Sequence, residues 1–492
     1  MNLKKLIKSI NPVEIHGNLN IDISNIVYDS REAVENSLFI CIEGFENDGH
    51  NYIENAVNNG AVAVLIEKEL IDYRDDITYV RVKNSRKSMS DLAATFYNYP
   101  LKKLNLIGIT GTNGKTTISY LIKSILDEAE FGTGLIGTIN VIIGEEKYPA
   151  TRTTPESLDL YKNFHKMVKE KVKYVVMEVS SHALELDRVR GMDFEVGIFT
   201  NISQDHLDFH NTFKKYLEAK SKLFQQVKRD GYGIINIDDQ RADDIIKKTR
   251  GEIITYGIEN NCLIKADNID LALKGVKFRT DFIGKVSLNL PGKFNVYNAL
   301  AAIATGKVLG LDKDIIKKGL ENISGVPGRF ELIDEGQKFG VVVDYAHTPD
   351  GMENVLNTAN EITEGKIILV FGCGGDRDRE KRPLMGKIGV EYGDYSILTS
   401  DNPRSEEPMD ILDEIVAGID EGKNNFYEVI PDRKQAIIKA IKFADKDDLV
   451  IIFGKGHETY QIFKDKTIHF DDREVAREAL SLVKKGEGDE TT

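Results

Sequence analysis

The chain opens on short apolar runs broken by turn residues. "SLFICIEGF" (37–45) and "AVAVLIE" (61–67) read as strands of a small α/β domain, which closes at "YNYPLKKL" (97–104), a proline-bearing linker. From Leu104 the apolar runs "LNLIGIT", "KYVVMEVS", "EVGIFTNI" and "GYGIINID" recur between segments of helical period. That alternation predicts a parallel sheet covered by helices. A stretch from about 262 to 290 looks antiparallel, and "FNVYNALAAIATGKVLG" reads as a helix ended by Gly310. After "GVPGRFE" the alternation restarts with "GVVVDYA", "KIILVFG", "YSILTSD" and "DLVIIFG", each expected to lead into a helix. No internal repeat is present, and only the tail "KKGEGDETT" has the composition of a disordered end.

The pattern therefore predicts an α/β protein of three domains. These are a small N-terminal α/β domain over 1–103, a central P-loop ATPase-like parallel-sheet domain over 104–328, and a Rossmann-like α/β domain over 329–492. A chain of 492 residues is long enough for each to bury its own core.

Charge narrows the partners. A net charge of −14 argues against a broad nucleic-acid or anionic-membrane surface, so an anionic ligand must meet a local basic or amide-lined site. Cys41, Cys262 and Cys373 are far apart and form no C-x-x-C pair, which gives neither a disulfide nor a zinc framework and suits a reducing cytoplasm. "MNLKKLIKSI" lacks a long apolar core and a cleavage site, and no apolar run approaches the roughly 20 residues that span a bilayer. A soluble, unprocessed, cytoplasmic protein is expected.

The candidate chemistry begins at "TGTNGKTT" (110–117), placed between a strand and a helix. Gly111 and Gly114 let backbone N–H groups turn toward an anion, Lys115 adds a point charge, and the Thr116 hydroxyl is suited to Mg²⁺. The loop is a variant, because Ile109 stands where the general phosphate-loop pattern has its first glycine. "FGCGGDR" (371–377) also follows a strand, but Arg377 occupies the last glycine position of a dinucleotide pattern, so nucleotide binding is not expected there.

Taken in order, "GTNGKTT", "MEVSSHAL", "NISQDHLDFH", "YLEAKSKLF", "NVYNALAA", "GVPGRFE", "VDYAHTPD", "GCGGDRDREKRPLMG", "DNPRSEEP" and "GKGHE" resemble the Mur ligase family, and the wording is similar to the members that add the third peptide residue. The resemblance runs from about residue 26 to 474. It implies an ATP-dependent ligase of peptidoglycan precursor synthesis, in which a substrate carboxylate takes the γ-phosphoryl group and an amine then displaces phosphate.

Residue by residue, the resemblance implies a phosphate loop of Gly111, Thr112, Asn113, Gly114, Lys115, Thr116 and Thr117, and metal sites built from Thr116, Glu178 and His206. Glu178 suits hard Mg²⁺ better than a lone histidine does, and His206 with His210, four residues on, also reads as an ordinary loop pair. Lys220 matches a lysine that similar enzymes carbamylate with CO₂, although the amphipathic pattern of "FKKYLEAKSKLF" alone would make it one solvated lysine among several. Asn298, Arg329, Asp344 and His347 match nucleotide contacts.

Tyr28, Ser30, Phe45, Glu46 and Asn47 match the UDP-binding module, and Thr153, Thr154, Ser180 and Arg188 the positions that hold the muramoyl-peptide arm. Leu186 stands where some relatives carry a polar contact. Arg377, Asp401, Asn402, Pro403, Arg404, Gly454 and Glu458 match the amino-acid site. Arg404 of "DNPR" suits the distal carboxylate of meso-diaminopimelate, since a guanidinium pairs with a carboxylate bidentately. The expected partners are small molecules, UDP-N-acetylmuramoyl-L-Ala-D-Glu and meso-diaminopimelate, for a monomer that uses ATP and Mg²⁺. The competing readings are the same architecture adding L-lysine or another amino acid, and a P-loop ATPase switch without ligase activity. The base that keeps the incoming amine neutral stays open between His182 and His206.

Overall fold

The computed structural model describes residues 1–45, 47–423 and 425–489, with side chains through 483. The chain divides into two compact units, Met1–Thr255 and Tyr256–Thr492.

In the first unit the strands run in the order Glu14–His16, Thr78–Arg81, Ala61–Ile66, Ser37–Ile40, Asn25–Val27, all parallel except the first. The helix Ser85–Phe96 follows, its first turn capped by the Asn84 side chain, which accepts from the Lys87 amide. The predicted linker is a short 3₁₀ turn, Pro100–Lys103. Next comes a second sheet in which Asn105–Thr110 lies between Tyr174–Glu178 and Phe194–Phe199, all parallel, with Val227–Asn236 beyond the latter. The first three of these strands are almost wholly buried, as their apolar runs require for a sheet covered on both faces. Their carboxyl ends, Thr110, Glu178 and Phe199, come out side by side, the usual place for a ligand on such a sheet.

In the second unit the antiparallel stretch is a meander of Ile264–Ala272, Gly275–Thr280 and Gly284–Leu288. The expected helix runs Lys293–Val308, and Gly310 two residues later is left-handed. A second sheet follows in the order Glu331–Leu332, Gly340–Asp344, Leu449–Phe453, Ile367–Phe371, Tyr395–Leu398, Tyr427–Val429, parallel except for its first strand.

Three features depart from the sequence pattern. An antiparallel extension, Asn140–Ile143 and Glu146–Pro149, is appended to the central sheet through Thr133–Ile136; its outer strand is mostly exposed and carries little apolar signal. The strand Leu449–Phe453 leads first into a hairpin, Tyr460–Ile462 with Thr467–His469, and only then into a helix. That last helix runs Asp472–Asp489, through most of the tail expected to be disordered, because Val475, Ala476, Ala479 and Leu480 bury one face of it and the backbone ladder continues beyond them. Among the described residues no helix is long and apolar enough to cross a membrane.

Candidate active site

The phosphate loop leaves its strand at Gly111 and enters the helix Lys115–Glu128 through Gly114, which caps it in a left-handed conformation at φ 87°. A side chain at Gly111 would collide with the Thr200 hydroxyl, so the close approach of the two segments demands glycine there. Thr200 donates to the Asn113 carbonyl at 2.7 Å, and the Asn201 side chain accepts from the Asn113 amide at 2.9 Å. The segment "TNIS" after the neighbouring strand thus clamps the loop. Lys115 folds over it, donating to the carbonyls of Gly111 at 2.9 Å and Thr112 at 2.8 Å.

Two further groups converge on this loop. Glu178, at its strand end and 1% exposed, accepts from the hydroxyl of Thr116 at 3.0 Å and from the amide and hydroxyl of Thr138 at 2.8 and 2.9 Å. Lys220 is not a solvated lysine: it is 2% exposed, donates to the Gly111 carbonyl at 2.7 Å, and lies 4.4 Å from the Tyr216 ring centroid. Burial, reinforced by the charge of Lys115, pushes its ammonium well below the usual lysine range. His206 pairs with Asp205 at 3.3 Å and lies edge-on to His182 with ring centroids 4.8 Å apart, while His210 stands 5.6 Å from His182. Burial, with the neighbouring His206 and His210, depresses the His182 pKa to about 4, which leaves that ring neutral near pH 7.

Among the described residues no cluster of three or more His, Cys, Asp or Glu side chains could hold a metal by itself. The oxygen set of Glu178 and Thr116 fits Mg²⁺, which takes one or two carboxylates and completes its shell with water and phosphate oxygens.

A cavity of about 740 Å³ in the first unit is lined by Tyr28, Ser30, Phe45, Asn47, Leu186 and Arg188. Glu46 lies outside the described residues. The Tyr28 hydroxyl donates to Asp159 at 2.7 Å, and the exposed Phe45 ring stands 5.6 Å from Phe209. Thr153 meets Thr138 at 3.1 Å, Thr154 donates to the Glu178 carbonyl at 2.8 Å and accepts the Ser180 amide at 3.0 Å, and Arg188 donates to the Thr154 carbonyl at 3.0 Å. Arg188 also pairs with Glu156 at 3.0 Å, and this buried carboxylate is met by Arg86 at 3.1 Å and Arg152 at 3.3 Å. Sequence reasoning missed this group, since its members are scattered along the chain and only Arg188 belongs to a recognised motif position.

In the second unit Asp344 ends its strand and accepts the amides of Phe330 at 2.6 Å and Ala346 at 2.7 Å. Burial raises its carboxyl pKa, and Arg329 opposes the shift. The Arg329 guanidinium stacks 4.6 Å from the Tyr345 ring centroid, and His347 meets the Tyr345 carbonyl at 2.8 Å. Asn298 does not show a contact with that group; it is buried in its own helix and donates to Asn295 at 2.9 Å.

"DNPR" leads into a turn with Arg404 left-handed at φ 53°, its guanidinium donating to the Gly375 carbonyl at 2.7 Å. A Cβ at Gly374 would approach both the Arg404 guanidinium and, at 3.8 Å, the Arg377 side chain, so the two arginines flank one glycine. Asn402 donates to Glu458 at 3.0 Å. Gly454, at φ 113°, is the only residue that fits, because a Cβ there would stand 2.6 Å from Asp401 Oδ2. Burial, then the nearby Asp401, raises the Glu458 carboxyl pKa.

Three family models match the chain: "Mur ligase family, catalytic domain" over 22–97, "Mur ligase middle domain" over 109–306 and "Mur ligase, glutamate ligase domain" over 328–456. A relative from Clostridium tetani (strain Massachusetts / E88), named UDP-N-acetylmuramoyl-L-alanyl-D-glutamate--2,6-diaminopimelate ligase, is 50% identical across 98% of this chain and 99% of its own. One of the same name from Clostridioides difficile (strain 630) is 48% identical across 98% and 100%. A solved structure bearing that name superimposes with a TM-score of 0.67 at 32% identity, covering 97% of this chain and 99% of the other. The MurF ligase from Thermotoga maritima in complex with ADP shares the fold at a TM-score of 0.61 and 18% identity, over 87% and 93% of the two chains. With half of its residues identical to such a relative over almost its whole length, this chain belongs to the Mur ligase family.

Proposed function

We propose that the chain joins meso-2,6-diaminopimelate to UDP-N-acetylmuramoyl-L-alanyl-D-glutamate with hydrolysis of ATP to ADP and phosphate, in the cytoplasm, as a step of peptidoglycan precursor synthesis. The observation that carries the choice of amino acid is the corner at "DNPR", where the guanidinium of Arg404 is fixed on the Gly375 carbonyl while the neighbouring Asn402 holds the Glu458 carboxylate. A zwitterionic amino-acid end needs both groups, the guanidinium for its carboxylate and the carboxylate for its ammonium.

The reaction divides along the chain. In our reading residues 1–103 bind the UDP part, 104–328 hold ATP, and 329–492 present the amino acid. The loop amides and Lys115 orient the ATP phosphates, while Arg188 and the Thr153–Thr154 segment hold the peptide arm. The glutamate carboxylate attacks the γ-phosphorus, ADP leaves, and the amine then attacks the acyl carbon and expels phosphate. Thr116 and Glu178, with His206 by motif, would hold Mg²⁺, which when bound would supply positive charge to offset that of the reacting anions. Lys220, buried and disposed to be neutral, is an amine able to add CO₂; as a carbamate it would offer an anion where an ammonium would repel Mg²⁺. Arg329, Asp344 and His347 form the nucleotide-facing corner of the second unit, with Asn298 assigned to the nucleotide by motif alone.

Phosphate release from ATP, measured with UDP-N-acetylmuramoyl-L-Ala-D-Glu and either meso-diaminopimelate or L-lysine, tests this. Release only with diaminopimelate, lost in Arg404→Ala, is expected. Equal release with lysine would remove the specificity, and release indifferent to every acceptor would leave a plain ATPase. An arginine left unpaired by lysine is worth about 1–3 kcal/mol of discrimination.

A further inference from the structure

Lys455, the second residue of "GKGHE", has no part in the function derived so far, yet its side chain is 0% exposed. A lysine taken wholly out of water is costly unless its N–H groups and its charge are matched. Here Nζ donates to Asn402 Oδ1 at 3.0 Å and to the Tyr460 carbonyl at 2.6 Å, and it lies 3.7 Å from Asp401 and 3.8 Å from Glu458. One buried cation therefore touches both carboxylates that would receive the amino acid's ammonium and the Asn402 amide that binds one of them.

The contact with Asn402 has a directional consequence. An amide side chain can turn over, exchanging its acceptor oxygen for its donor nitrogen. Asn402 Oδ1 is held by two donors, Lys455 Nζ and the Ile462 amide at 3.0 Å, so its nitrogen is forced toward Glu458, to which it donates at 3.0 Å. Gln461 fixes the backbone beneath by donating to the Asp401 carbonyl at 2.8 Å, and the Arg404 amide donates to the Ile462 carbonyl at 3.1 Å. The hairpin beginning at Tyr460 and the "DNPR" turn are thus pinned together around the lysine.

We infer that Lys455 is a positioning residue for the amino-acid substrate: acting through Asn402, it fixes the Glu458 carboxylate and holds Asp401 and Glu458 together against their mutual repulsion, so that both can face an incoming ammonium. This rests on the diaminopimelate reading above. Without the lysine the Asn402 amide keeps only one donor on its oxygen, and two partly buried carboxylates lose their shared counter-charge. The loss falls on the amino-acid site and leaves the phosphate loop untouched.

The test is steady-state kinetics of the full-length enzyme with each of the three substrates varied in turn. Lys455→Met is expected to raise KM for diaminopimelate about tenfold or more, the scale of one hydrogen bond to a charged group, with KM for ATP and for the UDP-linked substrate within about twofold. Lys455→Gln, which restores an N–H donor toward Asn402 Oδ1, is expected to recover part of that loss, and it carries the same test if the methionine variant does not fold. In a double-mutant cycle Asn402→Ala and Lys455→Met should be less than additive on KM for diaminopimelate. A uniform rise in all three KM values, a fall in kcat alone, or full additivity with Asn402→Ala would overturn the inference. Failure of the wild-type enzyme to use diaminopimelate at all would instead bring down the underlying reading.

Discussion

The Nζ of Lys220 donates to the carbonyl of Gly111 at 2.7 Å, joining a helix to the first residue of a phosphate loop 109 positions earlier. Lys115 donates to the same carbonyl at 2.9 Å, so two lysines converge on one acceptor in a buried place. Like charges so placed favour the neutral form of one, and burial selects Lys220. A neutral amine adds CO₂ to give a carbamate and one proton. Enzyme exchanged into ¹³C-bicarbonate should show a carbamate carbon signal that is absent from Lys220→Ala. The variant should lose on the order of a hundredfold or more in kcat, as expected for a charge aligned with phosphoryl transfer. Wild-type activity should fall in CO₂-depleted buffer and return with bicarbonate; activity indifferent to CO₂ would count against the carbamate.

Gly111 faces Thr200 too closely to carry a side chain. Gly111→Ala should displace the Thr200 segment that clamps Asn113, weakening nucleotide binding at least tenfold and lowering stability by about 1–3 kcal/mol. Titration with ADP and chemical denaturation measure the two effects separately. An alanine variant that binds ADP normally would show that the clamp is dispensable.

The phosphate loop was legible because its chemistry is local: backbone amides, one lysine and one hydroxyl within eight residues, placed by a strand and a helix whose periodicities are plain. The parallel strands were legible for the same reason, each being a continuous apolar run such as "KYVVMEVS". What escaped depends on distance in sequence. Thr138 and Asn201 are ordinary polar residues until the fold sets one against Glu178 and the other against the loop. Lys455 lies inside a recognised motif, but only its burial separates it from a solvated lysine. Lys220 was flagged by resemblance, while its helical pattern alone pointed to the surface. The outer strand Glu146–Pro149 and the hairpin after Gly454 have polar or exposed positions on both faces, so no apolar period announces them.

His457 gives a pH dependence with a definite sign. Burial, helped by Arg329 and Arg473, holds its pKa at about 4, below the roughly 6.5 of an unfolded chain. Between those values the unfolded state binds the proton and the folded state does not, so stability rises with pH. The contribution is whole above about pH 6.5 and is lost as pH falls toward 4. A variant without a titrating group, His457→Gln, escapes that loss. The excess in melting temperature of wild type over variant should therefore be smaller at pH 5 than at pH 7.5, in matched buffers. A gap that stays constant across that range would mean the ring titrates in the folded protein as it does in the unfolded chain.

Glu156 sits, 4% exposed, among Arg86, Arg152 and Arg188, one negative charge against three positive. The surplus faces the cavity of the first unit, where an anionic substrate would neutralise it. Removing the carboxylate in Glu156→Ala leaves the guanidinium groups repelling one another, Arg188 buried and Arg86 partly so, at a cost of about 3–5 kcal/mol in stability. Because an anion binding there would then relieve more repulsion than in the wild type, the UDP-linked substrate should raise the melting temperature of the variant by more than it raises that of the wild type. kcat should nonetheless fall, since Arg188 loses the partner that aims it at the peptide arm. Differential scanning measurements with and without the substrate, set beside the kinetics, separate the two effects. A variant as stable as the wild type would show that the three arginines are already satisfied by solvent, and the cluster would then be a surface network and no part of the binding site.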